Sequence, residues 1–305
     1  MIVVFGSLNV DLVFPVEALP EPGETVLTEA YGTVPGGKGA NQAVAAARAL
    51  GSPGEVMMVG CVGEDGFGAF VLDAMHEAGV DVSPVIRTKR PTGCASIGVD
   101  REGRNAITVA SGANLDAAAS MVPDAWLETG TVLLLQNEVP MPENLALARR
   151  AAGRGARVIL NAAPARPLPA SDWAGLLDCL VVNETELESL AGSRPDAALG
   201  LARALDTRVL ATLGADGAVL TQPEGSGWRI GALPLERVVD TTAAGDGFLG
   251  ALAAALHAGI DLPDALHRAS VAGGIACTRP GAQPSLATRA EIEGRLTDLP
   301  PAAPL

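Results

Sequence analysis

Short runs of Val, Leu and Ile alternate along the chain with longer alanine-rich stretches, and this alternation restricts the fold more than any other feature. Runs that are apolar throughout are typical of parallel strands, because both faces of such strands are buried. We expect strands at residues 2–5, 56–59, 132–135, 158–160, 180–182 and 209–213. We expect helices between them, at residues 39–50, 65–78, 143–152, 171–177 and 195–205. The pattern predicts an α/β fold with a doubly wound, mostly parallel central sheet flanked by helices.

Two segments interrupt this alternation. Residues 12–34 and 93–109 resemble strands joined by turns, including a turn at residues 100–104 that contains Gly103, and neither segment contains a helical stretch. They would be edge strands of the main sheet or, together, a small antiparallel sheet that projects from it. We expect a single α/β domain over residues 1–305, into which the two segments are inserted.

The charge of the chain argues against a nucleic acid partner. Thirty-five acidic residues outnumber 21 basic ones, giving a net charge of −14 that would repel a phosphate backbone. Only five Phe, three Trp and one Tyr are present, which leaves few rings on which single-stranded bases could stack. ATP is not excluded, because Mg²⁺ and backbone N–H groups hold phosphates locally.

Cysteine and histidine are too few and too scattered to predict a zinc site. The four cysteines, at positions 61, 94, 179 and 277, form no C-x-x-C pair, and there are three histidines. Residues 1–6 are too short for a signal peptide, and no stretch approaches the ~20 apolar residues of a membrane helix. We expect a soluble cytoplasmic protein with reduced thiols, no membrane contact, and a frayed proline-rich tail at residues 300–304.

The segment from Asp240 to Gly250, DTTAAGDGFLG, carries the strongest functional signal. It follows a strand expected at residues 237–239 and opens an alanine-rich helix. The first N–H groups of a helix have no partner within the helix, and they attract an anion. Asp246 would lie beside that anion site, where it is placed to accept a proton from an attacking hydroxyl. An N-capping Asp in a tight turn is the structural alternative.

Residues 245–250 also match G-x-G-x-x-G, the pattern of dinucleotide-binding proteins. That pattern belongs to a helix that is followed by a second strand with an acidic residue about 20 positions on. Here the helix leads to Gly259 and a further helical stretch. The context therefore argues against a dehydrogenase.

Residues 35–42, PGGKGANQ, form a second glycine-rich segment at a predicted helix start. It lacks the four-residue spacer and the Lys-Ser/Thr ending of a Walker A loop. Glycines there let backbone N–H groups approach a polar ligand closely. A simple helix entry loop would not need Lys38 or Asn41.

Polar residues follow three of the predicted strands, where open α/β sheets bind their ligands. Asn9 and Asp11 suit hydrogen bonding to neighbouring hydroxyl groups, although turn formation also explains them. Asn183 and Glu186 form a capping box, which is sufficient explanation for both. Residues 212–217 resemble a strand-end turn that a nucleotide could contact.

Together these segments resemble the ribokinase-like (PfkB) family of carbohydrate kinases over almost the whole chain. The matching pieces are residues 6–11, 22–25, 36–42, 161–167, 183–186, 212–217, 240–246 and 278–285. The resemblance implies ATP-dependent phosphorylation of the primary hydroxyl of a pentose, with D-ribose 5-phosphate as the expected product. Alternatives are a kinase for deoxyribose, another pentose or a nucleoside, and a sugar-binding protein without activity. The resemblance also implies that the two inserted segments form a β-sheet lid, through which two copies would make a homodimer.

The resemblance assigns roles to individual residues. Asp246 matches the family's catalytic base, and the backbone of Ala243, Ala244 and Gly245 matches its anion hole. Sugar-binding positions are Asn9, Asp11, Gly37, Lys38, Asn41 and Glu138, in addition to Asp246. Nucleotide-binding positions are Asn183, Thr212, Gly214, Gly217, Gly245 and Ser270. Glu186 is associated with Mg²⁺ through water, and a potassium ion would be held by Asp240, Thr242, Ala276, Arg279, Gly281 and Ser285.

Two positions depart from the family pattern. Gly247 stands where a small or hydroxyl residue is usual, and Leu249 stands where Asn is usual. Both lie on the new helix just after Asp246, so they leave the base intact. They bear on the identity of the sugar rather than on the reaction.

Overall fold

Nine strands of the computed structural model, which describes residues 1–305, form one central sheet. In chain order the strands of the protein are β1 (Ile2–Phe5), β2 (Asn9–Pro15), β3 (Gly32–Gly36), β4 (Val56–Val59), β5 (Cys61–Gly63), β6 (Ile86–Thr88), β7 (Gly93–Val99), β8 (Asn105–Ala110), β9 (Val132–Gln136), β10 (Arg157–Asn161), β11 (Cys179–Asn183), β12 (Arg208–Thr212), β13 (Ala218–Thr221), β14 (Gly227–Ile230) and β15 (Ala303–Pro304). The helices are α1 (Lys38–Leu50), α2 (Gly66–Glu77), α3 (Met141–Ala152), α4 (Ala170–Trp173), α5 (Glu184–Ala191), α6 (Ala197–Leu205), α7 (Ala244–His257), α8 (Leu262–Ala276) and α9 (Arg289–Arg295).

The central sheet has the order β15-β14-β13-β12-β11-β10-β9-β1-β4. The six strands from β4 to β12 are parallel, and β13, β14 and β15 continue the sheet antiparallel. The predicted fold class is confirmed, and each of the six predicted strands is present to within a residue or two. None of the helices is long and apolar enough to span a bilayer.

Each parallel strand divides its side chains between two cores, because successive residues point to opposite faces of a sheet. In β1, Ile2 and Val4 pack in the core that α1, α7 and α8 cover. Val3 and Phe5 pack in the other core, which α3 and α6 cover. This two-sided burial explains why the strands are apolar throughout rather than alternating.

A separate sheet of four strands has the order β3-β2-β7-β8. It contains parts of both segments that interrupt the sequence pattern, so the prediction of a small second sheet is confirmed. The predicted antiparallel arrangement is wrong for the central pair, because β2 and β7 run parallel. Between β2 and β7 the chain forms β3, α1, β4, β5, α2 and β6. This long connection permits the two strands to pair in parallel. Residues 16–31 carry no strand.

Three local predictions are wrong. The helix expected at residues 171–177 is a single turn, Ala170–Trp173. No strand forms at residues 237–239, where the Val239 N–H donates instead to the Cys277 carbonyl oxygen. The tail does not fray completely, because β15 pairs antiparallel with β14.

Helices α1 and α7 lie side by side on one face of the sheet and pack through small side chains. Gly250 of α7 faces Ala45 and Ala46 of α1. At its start, α1 approaches the loop after β1, where Gly39 lies against the backbone of Ser7. These close approaches bring the first turns of α1 and α7 together at the carboxyl ends of the parallel strands.

Candidate active site

The first turn of α7 presents free backbone donors. The N–H groups of Ala243, Gly245 and Asp246 have no acceptor within the protein, whereas the Ala244 N–H donates to the Thr241 carbonyl oxygen at 3.2 Å. Free N–H groups at a helix start attract an anion, and the helix dipole adds to this attraction. Of the three residues predicted to form an anion hole, the structure therefore leaves the N–H groups of Ala243 and Gly245 free.

Asp246 lies in this first turn with only 7% of its surface exposed. Each of its carboxylate oxygens accepts a hydrogen bond from an amide of α1. Asn41 Nδ2 donates to Oδ2 at 3.0 Å, and Gln42 Nε2 donates to Oδ1 at 2.9 Å. The side chain is thus held by two donors beside three free N–H groups. It does not serve as an N-cap, because Ala243 occupies that position.

Lys38, the first residue of α1, is the cation of the site. Its charge acts on the carboxylates of Asp246, Glu138 and Glu186. The Lys38 backbone N–H also donates to Glu138 Oε2 at 3.0 Å. The Ser7 hydroxyl donates to the same oxygen of Glu138. The glycine-rich loop, the end of β1 and the end of β9 therefore meet at one carboxylate.

The pKa values of these groups reflect their crowding. Burial raises the pKa of Asp246, although the Lys38 charge and the amides of Gln42 and Asn41 oppose the rise. Burial alone would lower the pKa of Lys38, but the combined charges of Asp246, Glu138 and Glu186 outweigh it and raise the pKa. Burial raises the pKa of Asp11 to about 6, and the nearby charges of Glu138 and Asp246 add to the effect.

Asn9 and Asp11 lie on β2 and face the glycine-rich loop. Asn9 Oδ1 accepts a hydrogen bond from Asn114 Nδ2 at 2.7 Å. A β-carbon on Gly36 would come within 2.2 Å of Asp11 Oδ2, so a side chain at this position would displace the Asp11 carboxylate. Gly37 has a φ of +89°, which only glycine adopts readily. The sugar-binding positions predicted from the sequence thus cluster on β2, the loop before α1 and the end of β9.

A cavity of about 840 Å³ opens beside Asp246, and no residue of β2 lines it. All six predicted nucleotide-binding residues line it, namely Asn183, Thr212, Gly214, Gly217, Gly245 and Ser270. Lys38, Glu186, Thr242 and Asp246 line it as well. The predicted capping box of Asn183 and Glu186 is present, with the Glu186 N–H donating to Asn183 Oδ1 at 2.8 Å. Asn183 and Glu186 therefore cap α5 and also line the cavity.

Asp240 joins the two loops predicted to hold a potassium ion. Its Oδ1 accepts the Thr242 N–H at 2.9 Å, and its Oδ2 accepts the Gly281 N–H at 2.8 Å. Ser285 donates its hydroxyl to the Ala282 carbonyl oxygen, and the Ala276 carbonyl oxygen accepts the Arg279 N–H. The Arg279 side chain turns away to pair with Glu291. The loops therefore lie together, while the Arg279 guanidinium takes no part in the cluster.

Besides Ser7, three residues of the site were not assigned a role from the sequence. Gln42 lies within the glycine-rich segment but its contact with Asp246 gives no sequence signal. Gln136 donates to Gln42 at 2.8 Å, and its place at the end of β9 is the only sequence feature that points to the site. Asn114 holds Asn9 from a short helical turn at Gly112–Asp116. No pattern marks Asn114.

A carboxylate held beside free backbone donors and a lysine has a clear chemical use. Such a carboxylate can accept a proton from a hydroxyl group, and such N–H groups can stabilise negative charge on the group that the hydroxyl attacks. The glycine-rich loop and β2 offer hydrogen-bonding groups for a polyol on one side of the carboxylate. The cavity offers space for a second, larger substrate on the other side.

Comparison with known proteins gives a consistent result. Residues 1–289 match the pfkB family carbohydrate kinases. The chain is 38% identical to a ribokinase of Bacillus subtilis over 97% of this chain and 99% of that protein. It is 36% identical to a ribokinase of Lactococcus lactis, with 97% of each chain covered. The solved structure of Arabidopsis thaliana ribokinase complexed with ribose and ATP superimposes with a TM-score of 0.87 at 32% identity, over 97% of this chain and 98% of that chain.

Proposed function

The chain belongs to the pfkB family of carbohydrate kinases, and from this premise we propose that it phosphorylates D-ribose with ATP to give D-ribose 5-phosphate. The choice of ribose rests on relatives named ribokinase that are 36–38% identical over nearly the whole chain. The observation that carries the chemistry is the position of Asp246, whose carboxylate lies beside three free N–H groups at the start of α7.

In the proposed reaction Asp246 accepts the proton of the primary hydroxyl as that oxygen attacks the γ-phosphorus of ATP. The free N–H groups of Ala243 and Gly245 stabilise the negative charge that develops on the transferred phosphoryl group. Lys38 neutralises part of the charge on the phosphates and on Asp246. Positioning and charge stabilisation account for most of the catalysis, because the protein forms no covalent bond with the phosphoryl group.

The sugar would bind between β2 and the loop before α1. Asn9, Asp11 and Glu138 supply acceptors for its hydroxyl groups, and Asn41 and Lys38 supply donors. The Gly37 backbone, free of a side chain, allows close approach of the sugar. A sugar that lacks one hydroxyl would leave one of these polar groups without a hydrogen-bond partner. This cost is the basis of selectivity against deoxy sugars.

ATP would occupy the 840 Å³ cavity. Asn183 and Thr212 end the strands β11 and β12 at its edge, Gly214 and Gly217 line it from the turn after β12, and Ser270 lines it from α8. Gly214 and Gly217 have positive φ angles of +53° and +86°, and this turn brings backbone close to the cavity. The phosphate end of the nucleotide would point to Gly245 and Asp246.

The residues at the phosphate end of the cavity fit a Mg²⁺ ion. Glu186 lines the cavity, and oxygen is the ligand that Mg²⁺ prefers. No three acidic, histidine or cysteine side chains cluster there, so water and phosphate oxygens would supply the other ligands. When bound, Mg²⁺ neutralises charge on the phosphate oxygens.

The loops joined by Asp240 fit a potassium ion. Asp240 brings residues 240–242 next to Gly281. Ser285 and the backbone of Thr242, Ala276 and Arg279 would complete the set of oxygen ligands. A bound cation there would stabilise the loop that leads into the first turn of α7.

We also propose that the four-stranded sheet acts as a lid over the sugar and as a dimer contact. Its outer strand β8 is exposed along its whole length, and Ile107 and Val109 are 54% and 49% exposed. An exposed apolar edge strand is suited to pairing with a second copy. Closure of the sheet over the sugar would exclude water, which competes as a phosphoryl acceptor.

An ADP-release assay across pentoses, deoxyribose and nucleosides, with Mg²⁺ and potassium present, tests the proposed function. We expect the highest kcat/KM with D-ribose and formation of D-ribose 5-phosphate. A higher kcat/KM with another pentose or a nucleoside would reassign the substrate within the family. Sugar binding without any ADP release would identify a sugar-binding protein and reject the kinase assignment.

A further inference from the structure

One of the two side chains that hold the Asp246 carboxylate is fully buried and lies outside the 840 Å³ cavity. Gln42 donates to Asp246 Oδ1 at 2.9 Å. Its side chain has no exposed surface and does not line the cavity beside Asp246. Gln42 therefore acts on Asp246 without reaching either substrate.

Gln42 is itself held by a second glutamine. Gln136 Nε2 donates to Gln42 Oε1 at 2.8 Å. Gln136 has no exposed surface either, and Asn144 Nδ2 donates to its backbone carbonyl oxygen at 2.7 Å. A β-carbon on Gly6 would come within 1.9 Å of Gln136 Oε1, so the glycine after β1 makes room for this side chain.

The charge of Asp246 sets the direction of both hydrogen bonds. An ionised carboxylate only accepts, so Gln42 must turn its NH₂ group toward Asp246. Its carbonyl oxygen then faces Gln136, which must present its own NH₂ group. Gln136, Gln42 and Asp246 thus form a chain of amide donors that all point toward the carboxylate, which we term the amide relay.

We propose that Gln42 and Gln136 are positioning residues for the phosphoryl transfer, and that the amide relay holds the Asp246 carboxylate in the orientation that accepts the proton of the sugar hydroxyl. This inference rests on the proposed function, in which Asp246 is the base. Oδ1 is engaged with the buried Gln42, whereas Oδ2 meets Asn41, a predicted sugar-binding residue. The relay therefore turns Oδ2 toward the sugar.

The relay also favours the ionised carboxylate, since hydrogen bonds donated to the charged form stabilise it. Four charged groups act on the same carboxylate from other elements: Lys38 on α1, Glu138 after β9, Glu186 on α5 and Asp11 on β2. Substitution of Gln42 or Gln136 leaves all four in place. A change in the titration of Asp246 between variants therefore reports on the amides.

The first test compares Gln42→Met, Gln136→Met and the double variant. Methionine keeps the length of the side chain and removes the donor. For Gln42→Met we expect the acidic limb of the kcat–pH profile to move up by about one pH unit, the size expected for a lost hydrogen bond to a charged group. KM values for ATP and sugar should change by less than about twofold, because neither glutamine touches a substrate.

For Gln136→Met we expect a smaller shift in the same direction, because Gln42 remains but is free to turn. The double variant should match Gln42→Met, because Gln136 acts only through Gln42. Thr207→Val is the control, since it removes a buried hydroxyl that donates to the Leu177 carbonyl oxygen at the opposite end of the sheet. Thr207→Val should lower the free energy of unfolding without moving the acidic limb of the kcat–pH profile.

A second measurement is independent of turnover. Carbon-13 NMR titration of the Asp246 carboxyl group, assigned with Asp246→Asn, should show the same upward shift in Gln42→Met. If Gln42→Met does not fold, Gln42→Glu takes its place. It keeps the shape of the side chain and places a second carboxylate beside Asp246, so it should raise the pH at which Asp246 titrates.

A folded Gln42→Met protein that keeps the parent's carboxyl titration would overturn the proposal, as would additive shifts in the double variant. If the parent releases no ADP with any sugar while Gln42→Met still shifts the titration, the proposed function fails, and only the hold of the amide relay on the Asp246 carboxylate stands.

Discussion

Gly250 and Ala45 meet where α7 crosses α1, so closely that a β-carbon on Gly250 would come within 2.3 Å of the Ala45 β-carbon. Asp246 lies one helical turn before Gly250, and Asn41 lies one turn before Ala45. Hydrogen bonding between Asn41 and Asp246 therefore depends on a crossing that only a residue without a side chain allows at position 250.

Gly250→Ala should push α7 away from α1. We expect overpacking to lower the free energy of unfolding by about 1–3 kcal/mol. We also expect kcat to fall, because Asn41 and Gln42 would move out of hydrogen-bonding distance of Asp246. Gly294→Ala on α9 is the matched control, since nothing lies within 4 Å of its added β-carbon. The control should be neutral or stabilise by up to about 1 kcal/mol. Chemical denaturation and steady-state kinetics measure both effects, and unchanged kcat in Gly250→Ala would contradict the expected coupling.

Asp246→Asn should remove the base while keeping the size of the side chain. We expect kcat to fall by about 10²–10⁴-fold, the usual loss for a general base, with KM for ATP near the parent value. ADP release measures turnover, and thermal unfolding establishes that the variant is folded. Near-normal turnover in a folded Asp246→Asn protein would be incompatible with the assigned role.

Sugar affinity should depend on the ionisation of Asp11. Its pKa of about 6 lies above the usual value for Asp, so the carboxyl group is protonated below pH 6 and ionised above it. Only the ionised form accepts hydrogen bonds at both oxygens, so KM for the sugar should rise as the pH falls, approaching tenfold per pH unit well below 6. Asp11→Asn should raise the KM for the sugar and remove its dependence on pH in this range. A parent KM that stays constant between pH 5 and 7.5 would disprove the dependence.

Lys38→Met should leave several carboxylates without their cation. We expect the pKa of Asp246 and of Glu186 to rise, because the Lys38 charge lowers both. The variant should therefore be less active at pH 7, with an acidic limb moved to higher pH and a raised KM for ATP. Lys89→Met is the matched control, since Lys89 is the other lysine of the chain and is exposed. Equal pH profiles for Lys38→Met and Lys89→Met would exclude the electrostatic role.

Activity should depend on a monovalent cation of the size of potassium. We expect a several-fold higher kcat in potassium than in a large organic cation that does not fit between the loops joined by Asp240. Asp240→Asn should reduce this difference, because the amide cannot accept from both Thr242 and Gly281 at once. Rates that are equal in the two cations would reject the site.

The central sheet was predictable because its strands are buried on both faces and so leave continuous apolar runs, as at Ile2–Phe5 and Val56–Val59. Pairing within the small sheet was not predictable, since the partners β2 and β7 lie far apart in the chain and register is set by tertiary contacts. The helix expected after Ser171 shortened to one turn because Ala174 adopts an extended conformation that ends it.

The glycine-rich loop and the segment around Asp246 stood out because backbone close to a ligand needs small residues, which leave a pattern. Gln42, Gln136 and Asn114 left none. Their side chains form hydrogen bonds with residues more than 90 positions away, and a single buried amide gives no periodicity or spacing. Such residues are found only once the fold places them.

Asp246 and the amides that hold it are 204 and 205 positions apart in the chain. During synthesis on the ribosome, α1 emerges long before α7 exists to meet it. No amino-terminal fragment that ends before α7 contains the proposed proton acceptor, and no fragment that begins after α1 contains the amides that donate to it. On the proposed mechanism the protein therefore becomes active only after α7 has been made, and two separately made halves would become active only by reassembling.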